Sequence, residues 1–116
     1  MDTAKIQNWH AHVYFDAITT EPARALREKI EKTFEIEMGR SHEGPAGPHP
    51  RFSYQVAFRN DQLAPLLSWL ALNRGHLTIF VHPNTGQDLE DHRDRAIWLG
   101  QQVPLVLDIF TKKKDS

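Results

Sequence analysis

Seven histidines and no cysteine occur in the 116 residues, so any transition-metal site must be built from imidazole and carboxylate ligands. His10 and His12 lie two residues apart in WHAHVYF, and His82 ends the apolar run LTIFVH. A His-x-His pair joined by a third histidine or a carboxylate suits Fe(II), Mn(II) or Zn(II), and chemistry occurs at the coordination positions such a set leaves open. The pair becomes informative only if the fold brings His82 beside it.

Hydrophobic periodicity predicts the elements that position these residues. Residues 9–15 alternate as a strand, with His10, His12 and Tyr14 on the face opposite Trp9 and Val13. A helix is predicted from Thr20 through Phe34 and a second from Asn60 or Asp61 to the stop at Gly75. Further strands are predicted over 35–41, 52–58 and 77–82, followed by a helix over 88–99, a strand over 103–110 and a polar tail over 112–116.

A proline- and glycine-rich loop, SHEGPAGPHP, joins the second and third strands. Proline on both sides of His49 restricts its backbone, and rigid presentation is what a preorganised site needs. The sequence therefore predicts that this loop presents His49 in a fixed position.

The order β-α-β-β-α-β with an added C-terminal helix and strand predicts an α+β, ferredoxin-like fold. We expect one domain over residues 1–111, with strand 1 parallel to strand 3, strand 4 antiparallel to strand 1, and both long helices on one face. The other face, which carries His10, His12 and Tyr14, is left for a ligand or a second subunit. An exposed aromatic face of this kind predicts a homodimer, in the form of a dimeric α/β barrel.

In this topology the start of strand 1, the ends of strands 2 and 4 and the start of strand 3 are expected at one sheet edge. Because neighbouring strands lie about 4.8 Å apart, His82 would lie within a metal's reach of His10 and His12. Surface or hydrogen-bonded core roles are the alternative for any single histidine. The prediction is that six histidines converge and that only His76 falls at the opposite end; the six are His10, His12, His42, His49, His82 and His92.

The composition argues against two classes of function, nucleic-acid binding and membrane insertion. The formal net charge of −1 lacks the basic excess of a nucleic-acid-binding protein, which weighs against a base-stacking role for Tyr14, Phe52 and Tyr54. The N-terminal stretch has no apolar signal region and no run is long enough to span a membrane, so a cytoplasmic protein without membrane or nucleic-acid partners is expected.

Six segments in order resemble the DOPA 4,5-dioxygenase family of small extradiol-type enzymes. They are WHAHVYFD, GRSHEGPAGPHP, YQVAF, WLALNRG, VHPNTGQDLEDHRD and AIWLG, and they cover residues 8–107. One position departs from the family pattern, in which the run DHRD commonly continues with a second histidine; here that residue is Arg95. The departure bears on substrate range or turnover.

The resemblance implies a non-haem Fe(II) enzyme, with Zn(II) or another divalent metal possible on isolation, that opens the ring of a catechol such as DOPA with dioxygen. The implied metal ligands are His10, His12 and His82, with Glu43 as an alternative. The implied acid–base group is one of His42, His49 and His92. Arg40 would bind a substrate carboxylate, and Tyr14 and Tyr54 would contact the substrate.

Two interpretations stay open beside catalysis. Ferredoxin-like sheets host many functions, so a non-catalytic metal-binding or dimeric sensing domain is the alternative to an enzyme. The acidic residues Asp91 and Asp94 are either a solvated helix start or groups that orient an imidazole of the site.

Overall fold

The computed structural model describes the backbone of residues 1–115 and the side chains of residues 1–111. The predicted core order β-α-β-β-α-β is confirmed. Short 3-10 turns at Thr3–Lys5 and Asn60–Gln62 precede the first strand and the second helix. The elements are β1 (Asn8–Phe15), α1 (Thr20–Thr33), β2 (Glu37–His42), β3 (Phe52–Phe58), α2 (Leu63–Asn73), β4 (Thr78–Asn84), α3 (Asp88–Arg93), β5 (Ile97–Leu99) and α4 (Asp108–Asp115).

The five strands form one sheet in the order β2-β3-β1-β4-β5, and every neighbouring pair is antiparallel. The neighbour order of the first four strands is as predicted, but the parallel pairing of β1 with β3 is wrong. The crossover through α1 makes β2 run parallel to β1. The chain then reverses, and β3 lies between β2 and β1, antiparallel to both. The end of β2 therefore lies at the opposite end of the sheet from His10.

Helices α1 and α2 cover one face of the sheet, as predicted. Leu26 and Ile30 of α1 and Leu66 and Leu70 of α2 pack with the inward residues of β1, β3 and β4 in a single buried core. The carboxylate of Asp16 accepts hydrogen bonds from the backbone and hydroxyl of Thr19 before α1 begins. Gly75 follows α2 in the left-handed conformation, at φ 60°, which confirms the predicted stop.

The chain after β4 differs from the prediction. The helix expected over 88–99 ends at Arg93, and residues 97–99 instead form β5. Val81 pairs with Ile97 and Ile79 with Leu99, so β5 covers the edge that β4 would otherwise leave free. The Ile97 and Leu99 side chains contact the helix-side core, and Trp98 between them packs on the opposite face.

The strand expected over 103–110 is also absent. Residues 102–106 have no regular secondary structure, and α4 starts at Asp108. Val103 is buried against Tyr14 and Phe80, and the Val106 backbone donates a hydrogen bond to the Pro48 carbonyl. The segment therefore lies across the face opposite α1 and α2, together with the loop that contains His49.

This covering changes the argument for a dimer. Tyr14 and Phe80 on the histidine face are almost fully buried by the chain itself, so the exposed aromatic face from which a dimer was predicted is not present. The backbone of α4 continues into the predicted polar tail as far as Asp115, and Ser116 lies outside the described residues. No described helix has the length and apolar character needed to cross a bilayer.

Candidate functional site

Three histidines from two adjacent strands converge on the covered face. His10 and His12 project from β1 on the same side, and His82 of β4 is the direct register partner of His10. One nitrogen from each imidazole lies within 4.8 Å of the others. The predicted proximity of these three side chains is therefore confirmed.

The spacing of these nitrogens fits a single metal ion. The Nε2 atoms of His12 and His82 are 3.1 Å apart. Two nitrogens bonded to one metal at about 2.1 Å are about 3.0 Å apart at a right angle and about 3.4 Å apart at a tetrahedral angle. The observed separation lies between these values, so both side chains can bind one ion with little movement.

The orientation of the His82 ring leaves the nitrogen that faces the cluster, Nε2, free to bind a metal. Its Nδ1 lies 2.9 Å from the Pro83 carbonyl oxygen. Because a carbonyl only accepts, Nδ1 carries the hydrogen and Nε2 keeps its lone pair for the centre of the cluster. Pro83 therefore fixes both the tautomer and the ring orientation of this ligand.

Burial holds the cluster in its neutral, metal-binding form. Desolvation, with a smaller contribution from neighbouring imidazoles, lowers the pKa of His82 to about 3 and that of His49 to about 4. The pKa values of His10, His12 and His92 are also lowered, chiefly by burial. Since only neutral imidazole binds a metal, these sites are ready for a cation at neutral pH.

Two further histidines flank the three. The ring of His49 lies 4.0 Å from that of His12, between centroids, and its Nδ1 lies 2.7 Å from the Tyr14 hydroxyl. On the other side, His92 lies 4.0 Å from His82 and donates from Nδ1 to the Asp88 carbonyl at 2.7 Å. Five of the six predicted histidines thus form one contiguous group, which we call the histidine cluster: His10, His12, His49, His82 and His92.

The cluster lies on the sheet face, not at its edge as predicted. His49 reaches His12 because the loop before β3 folds back over the sheet. His42 ends β2 as an exposed side chain and stays outside the cluster. The antiparallel β1–β3 pairing explains this, because it puts the β2–β3 turn at the far end of the sheet from His10.

Several residues of the site escaped sequence analysis. Phe80 is fully buried beside the cluster, and Trp98 of β5 stacks on it at 4.7 Å. Phe110 of α4 lies 4.5 Å from His92. Alternation along β4 places Phe80 on the same side as His82 and could have identified it, whereas no sequence signal indicated Phe110.

The structure does not bring Arg40, Glu43 or Tyr54 to the cluster. Arg40 and Glu43 are exposed near the end of β2, and Glu43 lines a cavity on the α1 side of the sheet. Tyr54 belongs to the helix-side core, where its hydroxyl donates to the Ala23 carbonyl at 2.8 Å. The alternation of β3 points Tyr54 away from the histidines, so its expected contact with substrate is wrong.

Tyr14 does lie on the histidine face, but it is tied to His49. Its side chain is 2% exposed, and burial raises the pKa of its phenol. The hydrogen bond to Nδ1 holds the His49 ring in place over His12. Tyr14 therefore acts on the cluster through His49.

Neither Asp91 nor Asp94 orients an imidazole. The buried Asp91 carboxylate accepts from the backbone and hydroxyl of Thr85 and from Arg95 at 2.9 Å. Burial by itself would raise the pKa of Asp91, but these hydrogen bonds outweigh it and the pKa lies below its ordinary value. Asp94 pairs with the exposed Arg93. Arg95 thus serves as the partner of a buried carboxylate in the β4–α3 turn.

A small cavity adjoins the cluster. Its volume is about 180 Å³, and its lining includes His12, His42 and His49. A larger cavity of about 450 Å³ lies toward the other end of the sheet, and its lining includes Tyr14, Phe52 and His76. Location next to the converging imidazoles, not size, makes the small cavity the candidate site for a reacting molecule.

Comparison with known proteins identifies the family. Residues 9–109 match the sequence profile of the Dopa 4,5-dioxygenase family. The chain belongs to this family. The resemblance inferred from the six segments is therefore confirmed.

Two curated proteins and one crystal structure are similar to the chain. The DOPA 4,5-dioxygenase of Amanita muscaria is 34% identical over 97% of this chain and 53% of its own length. An uncharacterized 21.2 kDa protein of Botryotinia fuckeliana is 42% identical over 79% of this chain and 55% of its own length. A candidate dioxygenase from Nostoc punctiforme is 42% identical over 98% of both chains, with a TM-score of 0.94. The chain spans about half the length of the curated relatives it matches.

Proposed function

We propose that this protein is a metal-dependent dioxygenase that opens the ring of a catechol, with extradiol 4,5-cleavage of DOPA as the model reaction. One observation carries the proposal: three neutral imidazoles, two of them buried and His10 half-buried, converge on one point in a member of a dioxygenase family. Three nitrogen ligands leave coordination positions free for other molecules. Fe(II) is the proposed metal, with Zn(II) or another divalent ion as an occupant on isolation.

The reaction balances without an added reductant. The carbon–carbon bond next to the diol breaks, both atoms of dioxygen enter the product, and an aldehyde and a carboxylic acid result. The catechol is oxidised and dioxygen is reduced. A redox-active metal held by His10, His12 and His82 would supply open coordination positions and the electron transfer between the diol and dioxygen.

The residues of the cluster divide into ligands and acid–base groups. His10, His12 and His82 hold the metal. His49 takes the phenolic proton as the catechol binds and returns it during ring opening, because it adjoins both a ligand and the small cavity. His92 is the second acid–base candidate, with Nε2 free because Nδ1 is bound to Asp88.

Reconstitution tests the proposal. We expect the protein, loaded with Fe(II) under nitrogen and then mixed with air and a panel of single-ring catechols, to form a yellow ring-opened product. Protein loaded with Zn(II) is the control and should form none, because zinc has no redox chemistry. Iron binding without product from any catechol would contradict the enzyme and favour the non-catalytic metal-binding alternative.

A homodimer and a cytoplasmic location remain part of the proposal. Because the chain covers its own histidine face, a dimer would have to form through another surface. Light scattering at micromolar concentration tests the dimer, and a strict monomer would contradict it. Fractionation of the source cells tests the location.

A further inference from the structure

The edge of the sheet formed by β2 lies open. In the described part of the chain β2 pairs with β3 on one side only, and β5 forms the opposite edge. β2 has six residues, four of them exposed, whereas β5 has three. The backbone N–H and C=O groups of an open edge can pair with a strand of another chain.

A β-bulge interrupts β2 at the middle of this edge. The register against β3 shifts by one residue between Met38 and Ser41, so Gly39 and Arg40 lie together opposite Gln55. A Cβ atom at Gly39 would lie 3.2 Å from both the Cβ and the carbonyl oxygen of Gln55. The missing side chain at Gly39 therefore lets the bulge lie close against β3.

The bulge brings two opposite charges to one face of β2. Residues three apart in a regular strand lie on opposite faces. Here Glu37 pairs with Ala57, and Arg40 lies opposite Gln55, so both point to the face away from α1 and α2. Both are exposed, and no ion pair among the described side chains includes either of them.

A second copy of the chain fits this pattern. Two β2 strands can pair antiparallel about a twofold axis that passes through Met38. Glu37 then faces the partner's Arg40 on each side of the axis, and Met38 faces the partner's Met38. Because Met38 packs against the helix-side core, this contact continues the apolar layer from one copy into the other.

The other possible axes within β2 bring like groups together. Facing residues in an antiparallel pair point to the same side, so the axis must pass through a residue position. An axis at Glu37 sets two carboxylates face to face, and an axis at the bulge does the same with two Arg40 side chains. An axis at Ser41 sets Arg40 against the partner's His42, and an axis at His42 pairs two imidazoles. Charges and bulges often prevent edge pairing, but here they favour one register.

We infer that the β2 edge is the interface of a homodimer, in which two five-stranded sheets join through antiparallel β2 strands and Glu37 faces the partner's Arg40. The inference rests on the homodimer of the proposed function and names its surface. Contact along six-residue strands is small, and interfaces below about 1,200 Å² are typical of weak complexes. We therefore expect a dissociation constant in the micromolar range.

A charge swap tests the register. In sedimentation equilibrium across the micromolar range, we expect Glu37→Arg and Arg40→Glu each to weaken dimerisation at least about 10-fold, because like charges then face each other. The double variant Glu37→Arg/Arg40→Glu should recover the affinity of the unchanged protein. Gln101→Arg is the control, since it adds an arginine at an exposed residue beside the opposite edge, and it should dimerise like the unchanged protein.

Cross-linking provides a second test that does not depend on the charged variants. The chain has no cysteine, so Met38→Cys introduces a single thiol at the axis. Facing Cα atoms in an antiparallel pair lie about 4.5–5.5 Å apart, which is within the range that a disulfide bridges. Mild oxidation should link Met38→Cys into a dimer that a reductant separates, whereas Ser41→Cys, on the same face but away from the axis, should link little.

A double variant that stays as weak as the single variants, or equal cross-linking of Met38→Cys and Ser41→Cys, would overturn this interface. A strict monomer at every concentration would overturn the homodimer together with its surface. Neither result affects the proposed reaction, which ring opening by the Fe(II)-loaded protein tests separately.

Discussion

At the residue scale, the chemistry depends on which nitrogens face one another. Sequence identified His10, His12 and His82, because alternation fixes the face of a strand and the two strands are neighbours in the sheet. It did not identify the Pro83 carbonyl that orients His82, since that contact is set by the local backbone. It also assigned Tyr54 to the site, although the alternation of β3 places it in the helix-side core.

Removal of one ligand should abolish tight metal binding. We expect His82→Ala and His12→Ala to weaken Co(II) or Zn(II) binding by more than about 100-fold, since loss of a supporting outer-shell contact already costs about 10- to 100-fold. His76→Ala is the control, because His76 is exposed and outside the cluster. Calorimetric titration measures all three, and unchanged affinity in both ligand variants would exclude this site.

The buried imidazoles also make stability depend on pH. The pKa of His49 is about 4 in the folded protein and about 6.5 in the unfolded chain. Above pH 6.5 both states are neutral at this residue. As the pH falls from 6.5 to about 4, the unfolded chain takes up the proton first, so stability decreases by about 3 kcal/mol for His49.

Urea denaturation of the metal-free protein between pH 7.5 and 4 measures this loss. His49→Gln should show a shallower decline, and His76→Gln should follow the unchanged protein. Since the pKa of His82 is about 3, its contribution continues to lower pH. A free energy of unfolding that is constant from pH 6.5 to 4 would contradict neutral burial of these rings.

At the scale of elements, prediction succeeded where periodicity was long and failed where segments were short. The strands β1 and β3 and the helices α1 and α2 lie within a few residues of their predicted bounds. The secondary structure of residues 94–107 could not be predicted from periodicity, because its short apolar runs are compatible with a helix, a strand or an irregular segment packed on the sheet. Tertiary contacts decide among these: Ile97 and Leu99 pair with β4, and Val103 packs on Phe80.

The β4–α3 turn should depend on Asp91 far more than on Asp94. Asp91→Ala removes hydrogen bonds from Thr85 and Arg95 at a buried site, and we expect a loss of about 2–3 kcal/mol in unfolding free energy. Asp94→Ala removes only the exposed pair with Arg93 and should leave the free energy of unfolding nearly unchanged, because solvent screens that pair. Equal effects in chemical denaturation would show that the buried network does not hold the turn.

At the scale of the whole molecule, two separate parts of the chain enclose the histidine face. The loop that contains His49 and the segment after β5 meet through the hydrogen bond from Val106 to Pro48. Long-range covering of this kind leaves no periodic signal, which is why sequence predicted an open face and a dimer built on it. In the structure, one chain covers its own histidine face, where the sequence predicted an open face covered by a second subunit.

The cover should contribute measurably to folding. Val103→Ala removes a buried side chain, 5% exposed, that packs on Tyr14 and Phe80, and should lower the unfolding free energy by about 2 kcal/mol. Val106→Ala changes a side chain that is 46% exposed and should cost about 0.5 kcal/mol or less. Equal decreases in melting temperature for the two variants would contradict a stabilising role for Val103 in the segment that covers the histidine face.

The central claim is that the histidine cluster supports insertion of both atoms of dioxygen into a catechol. Mass spectrometry of the product formed by Fe(II)-loaded protein from DOPA under ¹⁸O₂ tests it most directly. We predict a ring-opened product heavier than DOPA by two oxygen atoms, with ¹⁸O from the gas retained in its new carboxylic acid because an aldehyde oxygen exchanges with water, and no such product from the His82→Ala protein. A product that has lost hydrogen without gaining labelled oxygen, such as a quinone, would contradict it.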